Sequence, residues 1–128
     1  LLNKNHFVSS VDINEESIKQ LIIAAKKQNL FNKLETHICN LMKNKVEIDL
    51  LKNFDVVIIN PPRSGAKLQY LNIAKVKIPK IISISCNIKT FLSDCDILIK
   101  NGYKLKSITP IDQFLYTGHL ETIGFFEI

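Results

Sequence analysis

The chain reads as an α/β fold, a mostly parallel sheet with antiparallel C-terminal strands, and three observations lead to that reading. Short apolar runs alternate with amphipathic segments along the 128 residues, the pattern of strands and helices layered in one domain. The runs "FDVVII" (54–59) and "KIISIS" (80–85) are apolar almost without interruption, as in parallel strands buried on both faces. The last two strand-like segments follow each other with no helical segment between them, so the C-terminal end is β-rich.

Each element has a local reason. The extended run "HFVSSVDIN" (6–14) passes Asp12 and ends at Asn14, a good helix N-cap, with Glu15 and Glu16 in the first turn where the helix dipole favours acids. Ile18, Leu21, Ile22 and Ala25 then recur at i, i+3, i+4 and i+7, leaving Lys19, Lys26 and Lys27 on the wet side. "QNLFN" ends that helix. "LETHIC" (34–39) reads as the next strand, and "FDVVII" and "KIISIS" as two more. After Cys86, "IKTFLSDCDILIKNG" (88–102) puts Phe91, Leu92, Cys95, Leu98 and Ile99 at helical spacing and stops at Asn101-Gly102. "YKLKSITPI" (103–111) and "HLETIGFFEI" (119–128) are the closing strands.

A single domain over 1–128 is expected, with one element missing. A doubly wound nucleotide-binding domain opens with a strand and a glycine-rich turn. Here the four glycines fall at 65, 102, 118 and 124, none before the first helix. The first strand therefore reads as the second of such a domain, and the chain as truncated, lacking the first strand and the glycine loop.

Composition narrows the class. With 46% hydrophobic and 23% charged residues the chain is an ordinary globular one rather than a disordered one. Its apolar runs fall far short of the roughly 20 residues a membrane span needs, and no signal-peptide pattern opens it, so a cytoplasmic protein is expected. Three cysteines without CxxC spacing suggest neither a disulfide framework nor a metal site. The net charge of +5 is spread along the chain and permits a phosphate-bearing partner without demanding one. Of 17 basic residues only Arg63 is arginine, and it lies inside "NPPRSG", where a planar guanidinium suits bidentate contacts.

Four places can carry chemistry. Asp12 closes its strand at the edge where open α/β sheets bind ligands, and a carboxylate there can accept from both ribose hydroxyls of a nucleoside cofactor; a solvated residue before a helix is the alternative. In "IINPPRSGA" (58–66) a strand delivers Asn60 to the same edge, and two prolines stiffen a loop that cannot continue a ladder. Such a polar-Pro-Pro turn holds a flat base in many methyltransferases, or is simply a turn. Cys86 ends the following strand. A sheet mouth beside a helix N-terminus can give a thiol access and activation, whereas Cys39 and Cys95 read as buried structural thiols. Glu121, with Gly118 and His119 just before it, opens the last strand and can reach the Cys86 edge. A thiol and a carboxylate converging there suggest covalent catalysis with proton abstraction.

The stretches "NPPRSGA", "SISCN", "NGYKLKSITPIDQF" and "TGHLET", in this order and spacing, closely resemble the C-terminal catalytic portion of the RNA uracil-5-methyltransferases. The similarity begins near Val8, more weakly over "VDINEESIKQLIIAAKKQNLFN". The resemblance implies a Rossmann-like class I methyltransferase fold, S-adenosyl-L-methionine as cofactor and tRNA or rRNA as partner. It implies that Cys86 is the nucleophile that adds to C6 of uracil and that Glu121 removes the C5 proton. Asp12, Asn40 and Asn60 match cofactor-contacting positions, and Arg63 and His119 are the expected substrate-binding residues.

Two departures stand out. The family usually has aspartate at the place of Asn60, and its upstream RNA-binding barrel and glycine-loop strand have no counterpart here; a second polypeptide supplying that half is one way to complete it. RNA cytosine-5-methyltransferases carry cysteine directly after the motif proline, where this chain has Pro62, and amino-group methyltransferases often carry an aromatic residue where it has Arg63. The competing class is a non-catalytic remnant or a subunit of a split methyltransferase.

Overall fold

A computed structural model of the chain describes residues 2–112 and 120–128. They divide into two compact units, Leu1–Asn44 and Lys45–Ile128.

The first unit is a strand, a helix and a strand. Strand β1 (Val8–Asp12) pairs in parallel with β2 (Leu34–Ile38), Asp12 opposite Ile38. Helix α1 (Glu15–Lys27) connects them and buries Ile18 and Ala25. Its start is set as the sequence indicates: the Asn14 side chain accepts from the Ser17 N–H at 3.0 Å. A 3₁₀ turn, Phe31–Lys33, leads into β2.

The second unit holds a four-stranded sheet in the order β3-β4-β6-β5. Strands β3 (Val56–Ile59) and β4 (Lys80–Ser85) run parallel, while β6 (Glu121–Glu127) is antiparallel to β4 on one side and to β5 (Lys104–Ile111) on the other. Parallel strands need a crossover, and α3 (Lys67–Val76) supplies it. Helix α4 (Ile88–Lys100) follows β4 and returns the chain to β5. A short helix α2 (Ile48–Leu51) precedes β3 and was not legible in the sequence, being a single turn. Two buried amides on α3 hold the chain just before it: the Val46 N–H donates to Gln69 Oε1, and Asn72 Nδ2 donates to the Val46 carbonyl.

The core lies between the sheet and these helices, where Tyr70, Ile73, Ile81, Phe91, Leu98 and Phe126 pack together. Alternation decides which strand residues enter it. Val57 and Ile59 of β3 pack against the core, whereas Val56 and Ile58 stay 43% and 39% exposed. That corrects the expectation of a strand buried on both faces: among the described residues β3 is an edge strand, and the helices of its unit cover one face only. Small polar side chains also point into the core. The Tyr70 hydroxyl meets Ser83 Oγ at 2.5 Å, and burial pushes the Tyr70 phenol well above its ordinary range. The Tyr103 hydroxyl donates to the Ile78 carbonyl at 2.8 Å. No helix among the described residues is long and apolar enough to cross a membrane.

Candidate active site

One edge of the four-stranded sheet gathers most of the residues singled out above. Strands β3 and β4 both end there, in register Ile59 with Ser83, and β6 begins there, Ser85 opposite Thr122. Cys86 directly follows the last residue of β4, and Glu121 is the first residue of β6, next to Thr122. Strand alternation assigns the faces. Ser83, Ser85, Thr122 and Phe126 are buried beneath the helices, so Glu121 falls on the opposite face with Ile123 and Phe125. Asn60 and Cys86 each follow directly on the last residue of their strand, β3 and β4.

Cys86 itself is half-buried and carries a free thiol. Its backbone is fixed from both sides. Ser85 Oγ lies 3.2 Å from both the Asn87 N–H and the Asn87 carbonyl, and Asn87 caps α4 by accepting from the Lys89 N–H at 3.1 Å. Cys86 thus sits one residue before the cap of α4.

The Asn60–Ala66 loop is held just as firmly. Pro61 is buried, Asn60 and Arg63 are exposed, and the Gly65 N–H closes a turn onto the Pro62 carbonyl at 2.9 Å. Gly65 has φ +78°, and a Cβ there would stand 2.9 Å from Asp94 Oδ2 and 3.2 Å from Thr90 Cβ, so only glycine fits without strain. Asp94, 4% exposed, accepts from the Ala66 N–H at 3.0 Å. Burial raises its carboxyl above the ordinary range, and the Ala66 bond opposes that shift. Asn87 Nδ2 donates to the Arg63 carbonyl at 3.0 Å.

Asp12 and Asn40 belong to the other unit. Asp12 ends β1, is exposed, and accepts from the Asn14 N–H at 2.8 Å through Oδ1. Asn40, two residues past β2, forms a turn with the Met42 N–H donating to its Oδ1 at 3.0 Å. Both stand at the carboxyl edge of their two-stranded sheet. A carboxylate and an amide there suit the hydroxyls and heterocyclic nitrogens of a nucleoside. His119 lies outside the described residues.

The other cysteines differ from each other. Cys95 is buried, and its thiol is pushed up to about 12 by burial and by the neighbouring Asp94, an inert group. Cys39, expected to be buried, is half-exposed; it follows the last residue of β2, and its N–H donates to the Asp12 carbonyl at 2.9 Å. Sequence reasoning missed Asn87, Thr90 and Asp94. Their spacing of i, i+3 and i+7 on α4 was visible and is the one sign that they share a face.

A sequence profile described as tRNA (Uracil-5-)-methyltransferase matches residues 3–127. The chain belongs to this family. It is 32% identical over 120 residues to an uncharacterised RNA methyltransferase of Agrobacterium fabrum, covering 94% of this chain and 29% of that protein. It is 35% identical over 102 residues to the 23S rRNA (uracil(1939)-C(5))-methyltransferase of Histophilus somni, covering 79% of this chain and 23% of that one. The Pyrococcus abyssi tRNA (uracil-54, C5)-methyltransferase, solved in complex with S-adenosyl-L-homocysteine, superposes with a TM-score of 0.76 at 26% identity, over 94% of this chain and 28% of that chain. This uracil-5-methyltransferase family member therefore has the Rossmann-like class I methyltransferase fold, and it spans less than a third of the length of each of these three relatives.

Proposed function

We propose that this family member carries the reacting groups of an RNA uracil-C5 methyl transfer, with Cys86 as nucleophile and Glu121 as base. The observation that supports the reading is the β4–β6 register, Ser85 opposite Thr122, with Cys86 the next residue after β4 and Glu121 the residue before Thr122. The C5 carbon of uracil is a poor nucleophile until C6 is saturated. The Cys86 thiolate forms a bond to C6, and the ring electrons move toward C5 and the C4 carbonyl oxygen. S-adenosyl-L-methionine, when bound, supplies an electrophilic methyl group to C5. The Glu121 carboxylate then takes the C5 proton, the C5–C6 double bond re-forms, and the C6–S bond breaks to return the thiolate.

Asp12, Asn40 and Asn60 are the proposed cofactor contacts, Asp12 by accepting from ribose hydroxyls through its carboxylate. Arg63 and His119 are the proposed RNA contacts, and tRNA or rRNA the substrate class, in line with what the named relatives modify. The amide of Asn60, where the resembled family usually has a carboxylate, favours a second reading, a subunit that binds but does not turn over.

One experiment separates the two. With unmodified tRNA and rRNA transcripts, Cys86→Ala abolishes methyl transfer, while Glu121→Gln accumulates a protein–RNA adduct that survives a denaturing gel. A Cys86→Ala protein that still methylates uridine overturns the nucleophile, and a wild-type protein that binds transcript but forms no adduct on 5-fluorouridine RNA supports the binding-only reading.

A further inference from the structure

The loop of Asn60 and the loop of Cys86 come from different strands, yet one side chain joins them. Asn87 uses both ends of its amide. Its Oδ1 accepts from the Lys89 N–H at 3.1 Å, capping α4 immediately behind Cys86, and its Nδ2 donates to the Arg63 carbonyl at 3.0 Å. Two other residues on the same face of α4 extend the tie. The Thr90 hydroxyl lies 3.3 Å from the Arg63 carbonyl and 3.1 Å from the Asn87 carbonyl, one hydrogen shared between two acceptors, and Asp94 Oδ2 takes the Ala66 N–H at 3.0 Å. Every one of these contacts from α4 to the loop reaches backbone, so the tie fixes where the loop runs whatever side chains it carries.

A helix cap alone does not account for this choice of residue. Serine, threonine and aspartate cap helices about as well as asparagine, but none has a second, donating arm that reaches a carbonyl on a neighbouring loop. Gly65 agrees with the same purpose: only without a side chain can its backbone lie against Thr90 and Asp94.

We propose that Asn87 is a positioning residue of the methyl-transfer site, holding the Asn60–Gly65 loop and the Cys86 backbone as one rigid piece. The inference rests on the reading of Cys86 as nucleophile, because only then does a fixed spacing between these loops matter for rate. Attack requires sulfur and C6 in near-contact geometry, and a misplacement of about 1 Å costs on the order of 100-fold in rate.

The test is Asn87→Ser in the purified protein, a change that keeps the cap and removes the donor to Arg63. On tRNA and rRNA transcripts at saturating concentration, the single-turnover rate falls by about 10- to 100-fold, while KM for the transcript changes by less than about two-fold. Amide exchange at Gly65 and Ala66 quickens by about 10-fold with no change at Leu98, which reports that the loop has loosened and the helix has not. Thr90→Ser, which keeps a hydroxyl, retains wild-type rate, and Thr90→Val loses part of it. A wild-type rate for Asn87→Ser shows that Asn87 is only a cap and overturns the proposal, as does a lost rate with unchanged exchange at Gly65 and Ala66. Methyl transfer that persists in Cys86→Ala defeats the nucleophile reading instead, and the exchange measurement then still decides whether Asn87 ties the loops.

Discussion

Gly124 lies in β6 between two buried rings, and a methyl group added to it has nowhere to go. The Cβ of an alanine would stand 2.8 Å from Phe91 Cζ, 2.9 Å from Phe126 Cε2 and 3.2 Å from Phe91 Cε2. Both rings are almost fully buried, so neither can swing into solvent, and backbone or rotamer strain must absorb the overlap. Overpacking of this kind costs about 1–3 kcal/mol, and the midpoint of thermal unfolding should fall by at least about 4 °C. Phe91 supplies the larger share of the overlap, so Phe91→Leu, which removes the Cζ edge, should relieve it. In a double-mutant cycle followed by urea denaturation, Gly124→Ala and Phe91→Leu together are less destabilising than their sum by about 1 kcal/mol or more. Phe91 also donates its N–H to the Asn87 carbonyl at 2.9 Å, so strain at Gly124 reaches the turn behind Cys86. A Gly124→Ala protein within about 0.5 kcal/mol of wild type, or a strictly additive cycle, would refute the packing argument.

Three further outcomes follow from the same geometry. Tyr70→Phe leaves Ser83 Oγ buried without its 2.5 Å partner and costs about 1–2 kcal/mol in chemical denaturation, whereas Tyr70→Phe with Ser83→Ala removes both partners and costs less than Tyr70→Phe alone. Asp94 has a folded-state carboxyl raised by burial, so the folded protein holds that proton more tightly than the unfolded chain. Its contribution to stability is complete below the ordinary carboxylate range and is lost as pH rises through the raised value; Asp94→Asn should flatten that slope in denaturation measured from acid to neutral pH. Cys86→Ala should leave stability within about 0.5 kcal/mol of wild type, because the thiol is only half-buried, while abolishing methyl transfer, the adduct assay being the decisive measurement.

The sequence made the order of the main strands and helices legible because each carried a local signal. Asn14 and Asn101-Gly102 marked the helix ends of α1 and α4, and the near-continuous runs marked β3 and β4. Exposure of β3 was misread because an apolar run does not tell an edge strand from a central one; what covers its second face is decided outside the run. The cysteines were separable only in part. Cys95 lay on a periodic apolar stripe and is buried, but Cys39 had only residue type to argue from. For the candidate site residues Asp12, Asn60, Cys86 and Glu121, what the sequence made legible is their place at or next to a strand end. Asn87, Thr90 and Asp94 were not, since their partners are backbone atoms of a loop more than twenty residues away, and no side-chain pattern encodes which carbonyl a helix will meet.

That backbone-directed tie makes Asn60 a clean position at which to ask what the side chain contributes. The loop path is set by Pro61, Gly65 and the bonds from α4 to Arg63 and Ala66, so an exchange at residue 60 need not move it. Asn60 is exposed, and aspartate differs from it by a single isosteric group. Asn60→Asp should therefore change stability by less than about 0.5 kcal/mol. If the amide is what limits turnover, restoring a carboxylate raises the single-turnover rate on uridine transcripts by about 10-fold or more, the scale on which one placed charged or acid–base group acts. KM for the transcript should stay level, since the loop has not shifted. A stable Asn60→Asp protein with no gain in rate would mean that residue 60 contributes shape rather than charge, and a destabilised one would mean that its side chain takes part in holding the loop.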